Sequence, residues 1–147
     1  FFVIFAASNN NNPKLFTMKF NQIFVVDDDK IHHFMIKKLL QNNQIEVNPS
    51  FFENGFEAIN GLKNCINSGA NLPDLILLDI NMPVLDGWQF LEEYKTIKNN
   101  LSKDIVINIL TSSDDKEDLN KAELFKEEIH KYYTKPVTVA LIKDIFQ

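Results

Sequence analysis

Residues 75–83 read LILLDINMP, and this stretch decides how the rest of the chain is interpreted. Four apolar residues lead directly into Asp79, and Pro83 ends the pattern. A short, unbroken apolar run is typical of a strand that is buried on both faces of a parallel sheet. Asp79 would then lie at the carboxyl edge of that sheet, where open α/β folds bind ligands. Asp is also common in turns, so this stretch alone leaves a turn-forming role for Asp79 equally open.

Strand and helix patterns alternate on both sides of this stretch. Apolar runs that predict strands are each followed by an amphipathic segment that predicts a helix, which makes five β-α units. Such alternation requires a parallel sheet with helices on both faces. We therefore predict an α/β fold, a doubly wound five-stranded parallel sheet with five helices, in the flavodoxin-like strand order 2-1-3-4-5. The predicted strands span residues 23–26, 45–52, 74–79, 105–110 and 129–134.

The first predicted helix follows Asp29, a plausible N-cap. His32 and His33 fall off its apolar stripe, so we predict that both face solvent and form no metal or phosphohistidine site. The stripe predicted to face the core consists of Ile31, Phe34, Met35 and Leu39.

The size, charge and cysteine content of the chain limit what it can be. Its 147 residues suit one domain whose core needs no metal or disulfide. A formal net charge of −5 argues against nucleic acid as a direct partner. Cys65 is the only cysteine, so an internal disulfide is impossible, which fits a reducing, cytoplasmic compartment.

Residues 1–19 differ in composition from the rest of the chain. The apolar start at residues 1–7 is too short to span a bilayer, and we expect no membrane association. Residues 9–12 are all asparagine, which is typical of a low-complexity linker. We expect Met18 to be the natural start, residues 1–19 to be a non-native or flexible N-terminal extension, and residues 20–147 to be the folded domain.

Three carboxylates are predicted to meet at the carboxyl edge of the sheet. Asp27 and Asp28 follow the first strand and Asp79 ends the third, and the predicted order makes these strands neighbours. Like charges about 4 Å apart repel by roughly 4 kcal/mol at an effective dielectric constant of about 20, so the cluster needs protons or a cation. Ligands that are all oxygen favour a hard divalent ion, and Mg²⁺ fits best.

Thr111 and Lys135 end the fourth and fifth predicted strands at the same edge. A hydroxyl donor and an ammonium group complement a phosphoryl group, so together with the acids they indicate phosphoryl transfer. Taken singly, Thr111 could be a helix cap and Lys135 an ordinary surface lysine. These separate interpretations do not explain why all five side chains arrive at one edge.

Short motifs occur at the matching positions along the predicted fold. They are VVDDD at residues 25–29, NGFEAI at 54–59, PDLILLDINMP at 73–83 with Asp86-Gly87, TSS at 111–113 and KP at 135–136. As a set, they make residues 20–147 resemble the receiver domain of response regulators, the phosphoacceptor module of two-component signalling.

The resemblance implies a role for each acidic residue. Asp79 would take a phosphoryl group from a sensor histidine kinase or a phosphotransfer protein. Asp28 would bind Mg²⁺ directly and Asp27 would bind it through water. Asn81 would add its backbone carbonyl, so the implied metal set is Asp27, Asp28, Asp79 and Asn81.

The resemblance also implies how the phosphoryl group is recognised. Thr111 would hydrogen-bond it and Lys135 would pair with it, beside a cis Lys135-Pro136 junction. Tyr132 would be the switch aromatic that turns inward as Thr111 is drawn toward the phosphate. A half-exposed strand tyrosine is the alternative for Tyr132.

By family analogy, output would pass through protein contacts made by the fourth helix, the fifth strand and the fifth helix. We expect a phosphoacceptor that assists only its own phosphorylation and dephosphorylation, and is therefore not an enzyme in the usual sense. The downstream target is undefined, and a homodimer is compatible with the sequence.

Three other functions stay open at this point. A haloacid-dehalogenase-type phosphatase also uses an aspartyl nucleophile, but its general acid would be at position 81, which is Asn. A non-phosphorylated pseudo-receiver is disfavoured by the full set of acids. A flavodoxin-like cofactor binder is disfavoured because no Ser/Thr-Gly-rich loop follows the first strand.

Overall fold

A computed structural model describes residues 2–4 and 20–147 of the chain. Five strands and five α-helices alternate from Gln22 onward, and none of the helices in the described part is long and apolar enough to cross a membrane. The strands are β1 (Gln22–Val26), β2 (Asn48–Phe52), β3 (Leu75–Leu78), β4 (Val106–Thr111) and β5 (Ile129–Thr134). The helices are α1 (Lys30–Asn42), α2 (Gly55–Ser68), α3 (Gly87–Ile97), α4 (Lys116–Leu124) and α5 (Val139–Phe146), and a short 3₁₀ helix (Lys98–Asn100) follows α3.

The five parallel strands form one sheet in the order β2-β1-β3-β4-β5, which confirms the predicted order. β1 and β3 are hydrogen-bonded neighbours, and Val26 lies opposite Leu78. Both strands run in the same direction and end level with each other. The residues that follow them are therefore brought to the same edge of the sheet.

A sixth strand, Phe2–Ile4, pairs antiparallel with β5 at the edge of the sheet. Phe2 lies opposite Tyr133, and Ile4 lies opposite Lys131. The sequence pattern did not predict this strand, because three residues are too few to show a periodicity. Residues 1 and 5–19 lie outside the described part of the chain, so a non-native or flexible extension stays a prediction.

Two apolar clusters cover the two faces of the sheet. On β3, Leu75 and Leu77 belong to the cluster that includes α1 and α5, whereas Ile76 and Leu78 belong to the cluster that includes α2, α3 and α4. None of these four side chains is more than 1% exposed. β3 is therefore buried on both faces, as its unbroken apolar run predicted.

The predicted orientation of α1 is wrong for three of the four residues of its stripe, whereas the fourth, Leu39, packs against a core cluster as predicted. Ile31, Phe34 and Met35, which were expected to face the core, are 70%, 61% and 40% exposed. The buried residues are instead His32, Ile36 and Leu40, which recur at the four-residue spacing of a helix face. Apolar residues occur on both possible stripes of this sequence, so hydrophobic periodicity alone did not distinguish them. The prediction that His32 faces solvent is wrong for the same reason.

Candidate functional site

The carboxyl ends of β1 and β3 bring three carboxylates together. The main-chain hydrogen bonds continue one residue past the strands, because Asp79 N–H donates to the Val26 carbonyl at 2.9 Å. One ligand oxygen from each of Asp27, Asp28 and Asp79 lies within 4.8 Å of the others. Asp27 and Asp79 are 2% and 6% exposed, whereas Asp28 is open to solvent. The structure thus places the predicted acids in one half-buried cluster.

Lys135 reaches this cluster from the loop after β5. Its Nζ lies 2.8 Å from Asp27 Oδ2 and 3.2 Å from Asp79 Oδ2. Its backbone N–H donates to the Thr111 carbonyl at 2.8 Å, and the Lys135-Pro136 peptide bond is cis. Lys135 is therefore a partner of the acids and does not have the free position of an ordinary surface lysine.

The three charged groups change one another's proton affinity. Burial alone would raise the pKa of Asp27, but hydrogen bonds from His32 and Lys135 outweigh it and lower this pKa to about 2. Burial raises the pKa of Asp79, and the charge of Asp27 raises it further. Burial would lower the pKa of Lys135, but its hydrogen bond to Asp27 and the charges of both acids raise it instead. Asp27 is therefore the more strongly ionised of the two buried acids, and Asp79 takes up a proton more readily than Asp27 does.

His32 is a member of the site that sequence reasoning missed. Its Nδ1 lies 2.6 Å from Asp27 Oδ2, and its side chain is almost fully buried in the first turn of α1. Its Nε2 is buried and has no hydrogen-bond partner among the described residues. The neighbouring His33 is partly buried, with its ring 5.0 Å from that of Phe51. The spacing of His32 from Ile36 was the signal that could have identified it.

Thr111 and Tyr132 lie on neighbouring strands behind the acids. Thr111 is fully buried, and its Oγ1 accepts a hydrogen bond from Ser113 N–H at 3.3 Å. Tyr132 is 1% exposed, and its hydroxyl donates to the Ser113 carbonyl at 2.6 Å. The N-cap of α4 is Asp115, so Thr111 does not cap that helix. Tyr132 has an inward-facing side chain rather than a half-exposed one.

The loop after β3 approaches α3 closely. Ile80 N–H donates to Asp79 Oδ1 at 2.7 Å, which fixes the orientation of the Asp79 carboxylate. A Cβ atom on Gly87 would overlap the Asp79 carbonyl oxygen, so only glycine allows this approach. Asn81 lies between these residues and is exposed, two positions after Asp79.

A hydrogen-bond network connects α3, α4 and the loop after β4. Asp118 accepts from Trp88 Nε1 at 3.1 Å and, through its other oxygen, from the Ser113 hydroxyl. Ser113 in turn carries the contacts to Thr111 and Tyr132. The network therefore joins Thr111 and Tyr132 to the first turn of α4.

Comparison with known proteins places this geometry in context. The sequence model of the response regulator receiver domain matches residues 23–147. The chemotaxis protein CheY of Bacillus subtilis is 38% identical over 77 residues, which cover 52% of this chain and 58% of CheY. Two solved structures are also similar over most of the chain. The phosphorylated cyanobacterial phytochrome response regulator RcpA has a TM-score of 0.69 and 28% identity over 86% of this chain and 88% of its own. The Mn²⁺-bound response regulator Rcp1 has a TM-score of 0.67 and 25% identity over 85% and 88%.

Proposed function

Because this chain belongs to the response regulator receiver domains of two-component signalling, we propose that it is a Mg²⁺-dependent phosphoacceptor and that Asp79 is the phosphorylated residue. The observation that carries this proposal is the position of the Asp79 carboxylate. It lies at the carboxyl end of β3, with Lys135 Nζ at 3.2 Å and two further acids beside it. The raised pKa of Asp79 means that its carboxylate binds a proton more tightly than an ordinary aspartate does. This is consistent with a carboxylate that forms a bond to an electrophile such as a phosphoryl group.

The donor atoms of the acidic cluster fit a hard divalent ion. Asp28 would hold Mg²⁺ directly, Asp27 would hold it through water, and Asp79 and the Asn81 carbonyl would complete the protein ligands. The close approach of three oxygens within 4.8 Å supports this assignment, because a bound cation would relieve the repulsion among the carboxylates. Rcp1, whose structure contains Mn²⁺, is a relative with a divalent metal. A bound Mg²⁺ would neutralise negative charge on the carboxylates and on the phosphoryl oxygens.

The chain's own residues would act on the phosphoryl group as follows. One Asp79 oxygen forms the new O–P bond while the P–N bond to the donor imidazole breaks, and the electron pair leaves with that nitrogen. Lys135 then moves from the Asp79 carboxylate to a phosphoryl oxygen. The Thr111 hydroxyl, which accepts only a long 3.3 Å hydrogen bond from Ser113, is able to turn and donate to another phosphoryl oxygen.

Phosphorylation would be read out through Tyr132 and the surface formed by α4, β5 and α5. Movement of Thr111 would change the position of Ser113, whose carbonyl accepts the Tyr132 hydroxyl at 2.6 Å. The same residue contacts Asp118 in the first turn of α4. The coupling of Thr111 to this surface is therefore short and consists of direct contacts.

The partners of this module would be a sensor histidine kinase or a phosphotransfer protein upstream and a protein target downstream. Direct binding to nucleic acid or membrane is not part of the proposal. A possible homodimer and a cytoplasmic location stay predictions. The module would assist only its own phosphorylation and dephosphorylation and would not turn over a substrate.

Labelling with a small phosphodonor tests the proposal. The protein is incubated with acetyl phosphate and Mg²⁺, and its intact mass is measured. We expect a gain of one phosphoryl group that is lost in Asp79→Asn, is lost with a chelator, and persists in Asp104→Asn, which removes an exposed aspartate. Full labelling of Asp79→Asn would refute the assignment. Steady turnover of a phosphate ester would instead favour the phosphatase alternative.

A further inference from the structure

We propose that His32 is a positioning residue, which donates its Nδ1–H to Asp27 and holds that carboxylate in the orientation that binds the cation. This inference rests on the proposed function, since it concerns the same site. It assigns a role to a side chain that none of the site's motifs contains. His32 contacts Asp27 and is not itself one of the residues proposed to bind the metal or the phosphoryl group.

The hydrogen bonds of Asp27 show what His32 contributes. Asp27 Oδ1 accepts from Asp29 N–H at 2.9 Å, and Asp27 Oδ2 accepts from both His32 Nδ1 and Lys135 Nζ at 2.6 and 2.8 Å. If Lys135 turns to a phosphoryl oxygen, as the proposed function requires, His32 is the remaining side-chain donor to Asp27. His32 thus keeps the carboxylate in place when its other side-chain partner leaves.

The chemistry of the two groups fixes which tautomer is present. Both Asp27 oxygens accept hydrogen bonds from other donors, Oδ1 from Asp29 N–H and Oδ2 from Lys135 Nζ, so the carboxylate is an acceptor toward His32 as well. Nδ1 must therefore carry a proton, which leaves Nε2 as the second ring nitrogen. That Nε2 is the buried atom for which the described residues offer no partner.

The unpartnered Nε2 argues against a role in packing alone. A buried polar atom without a partner destabilises the fold, and a leucine at this place would avoid that loss. Position 32 lies between the apolar cluster of Ile36 and Leu40 and the acidic cluster. The imidazole is useful here because its other nitrogen reaches Asp27.

The backbone holds the imidazole at a fixed distance from the acid. Asp29 Oδ1 accepts from the N–H groups of Ile31 and His32, while Asp29 N–H donates to Asp27. The segment from residue 27 to residue 32 is therefore closed by hydrogen bonds at both ends. Partners behind a metal-binding carboxylate typically change metal affinity by about 10- to 100-fold when they are removed.

Three substitutions at His32 separate hydrogen bonding from packing. His32→Asn keeps an N–H donor near the position of Nδ1, His32→Gln places its donor farther out, near Nε2, and His32→Leu has no donor. The matched control is His130→Leu, which removes an exposed histidine from β5. Mg²⁺ affinity is measured by calorimetry at one fixed pH, and each variant's thermal unfolding is recorded without metal.

We expect His32→Leu and His32→Gln to weaken Mg²⁺ binding by about 10-fold or more. His32→Asn and His130→Leu should stay within about threefold of the unmodified chain. Equal Mg²⁺ affinity of the Asn and Gln variants would overturn the proposal. This comparison remains a valid test even when His32→Leu fails to fold. A purely structural role would change unfolding temperatures without separating these two variants in Mg²⁺ affinity.

A second measurement uses the metal-free protein, so that it does not depend on the proposed function. The ¹⁵N and ¹H spectrum of the imidazole should show a slowly exchanging proton on Nδ1, and Asp27→Asn should shift that signal. An Nδ1 without a proton would overturn the His32 inference even if Asp79 is phosphorylated. Conversely, an unlabelled Asp79 with the proton on Nδ1 would overturn the proposed function alone.

Discussion

Removal of the Asp79 charge should stabilise the metal-free protein, although it also removes an ion pair. Asp79 Oδ2 lies 3.2 Å from Lys135 Nζ, and ligand oxygens of Asp27 and Asp28 lie within 4.8 Å of Asp79. At an effective dielectric constant of about 20, the attraction is roughly 5 kcal/mol and the repulsion from Asp27 roughly 3.5 kcal/mol. Asp28 adds a smaller, screened repulsion, and burial of a carboxylate costs several kcal/mol more. We therefore expect Asp79→Asn to raise the free energy of unfolding by about 1–2 kcal/mol.

The pH dependence of this effect follows from the raised pKa of Asp79 in the folded protein. The folded state binds the Asp79 proton more tightly than the unfolded state does. The stabilisation that this proton gives to the fold is therefore lost as the pH rises through the folded-state pKa. The difference between Asp79→Asn and the unmodified chain should be largest near neutral pH. The difference in the free energy of unfolding should approach zero as the pH falls below the ordinary aspartate pKa of 3.8.

Urea unfolding followed by circular dichroism, in the presence of a chelator, measures the difference. Asp104→Asn, at an exposed position, should stay within about 0.5 kcal/mol of the unmodified chain. Added Mg²⁺ should stabilise the unmodified chain more than Asp79→Asn. A ligand that binds only the folded state stabilises it, and the stabilisation is larger when the ligand binds more tightly. An Asp79→Asn variant that is less stable than the unmodified chain near neutral pH without metal would refute this reasoning.

Four further substitutions test other features of the site and the fold. Lys135→Met should lower the free energy of unfolding by about 3 kcal/mol near neutral pH in urea titrations, because it leaves the buried Asp27 charge without its ammonium partner. Gly87→Ala should weaken Mg²⁺ binding in calorimetry, because its Cβ would displace the Asp79 carbonyl; unchanged affinity would contradict this. In urea unfolding, Ile36→Ala should lower the free energy of unfolding by about 2–5 kcal/mol, because Ile36 is buried, whereas Phe34→Ala should lower it by less than about 0.5 kcal/mol. The reverse order would mean that the stripe with Phe34 faces the core, as the sequence pattern predicted.

The fold was predictable because its strands carry an unambiguous signal. β3 is short and apolar at every position, which favoured a strand buried on both faces, and the strict β-α alternation left few topologies. The placement of Asp27, Asp28, Asp79, Thr111 and Lys135 followed, because each comes at the carboxyl end of a strand. The structure adds the distances that join them.

The errors in the sequence analysis have a common physical origin. In α1, apolar residues lie on two stripes, and the tertiary contacts of Ile36 with the sheet decide which stripe is buried. His32 then faces inward because Asp27 supplies a partner for its Nδ1, and this partner lies outside the helix. Periodicity within one helix does not contain such information. The edge strand Phe2–Ile4 depends likewise on a distant partner, the open edge of β5.

The placement of Tyr132 was predicted only in part. Its position in β5 was predicted, and so was an inward orientation upon activation, whereas the structure already places it inside with its hydroxyl on Ser113. Sequence gives the alternation of side chains along a strand but not the rotamer. Whether this orientation changes on phosphorylation stays a prediction of the proposed function.

Binding of beryllofluoride, which mimics an attached phosphoryl group, tests the central claim most directly. ¹⁹F NMR of the protein with Mg²⁺ and beryllofluoride should show one bound equivalent for the unmodified chain and for Asp104→Asn. The account predicts no bound signal without Mg²⁺ and none in Asp79→Asn. A bound signal that persists in Asp79→Asn, or that forms equally well without a divalent ion, would contradict the assignment of Asp79 as a metal-assisted phosphoacceptor.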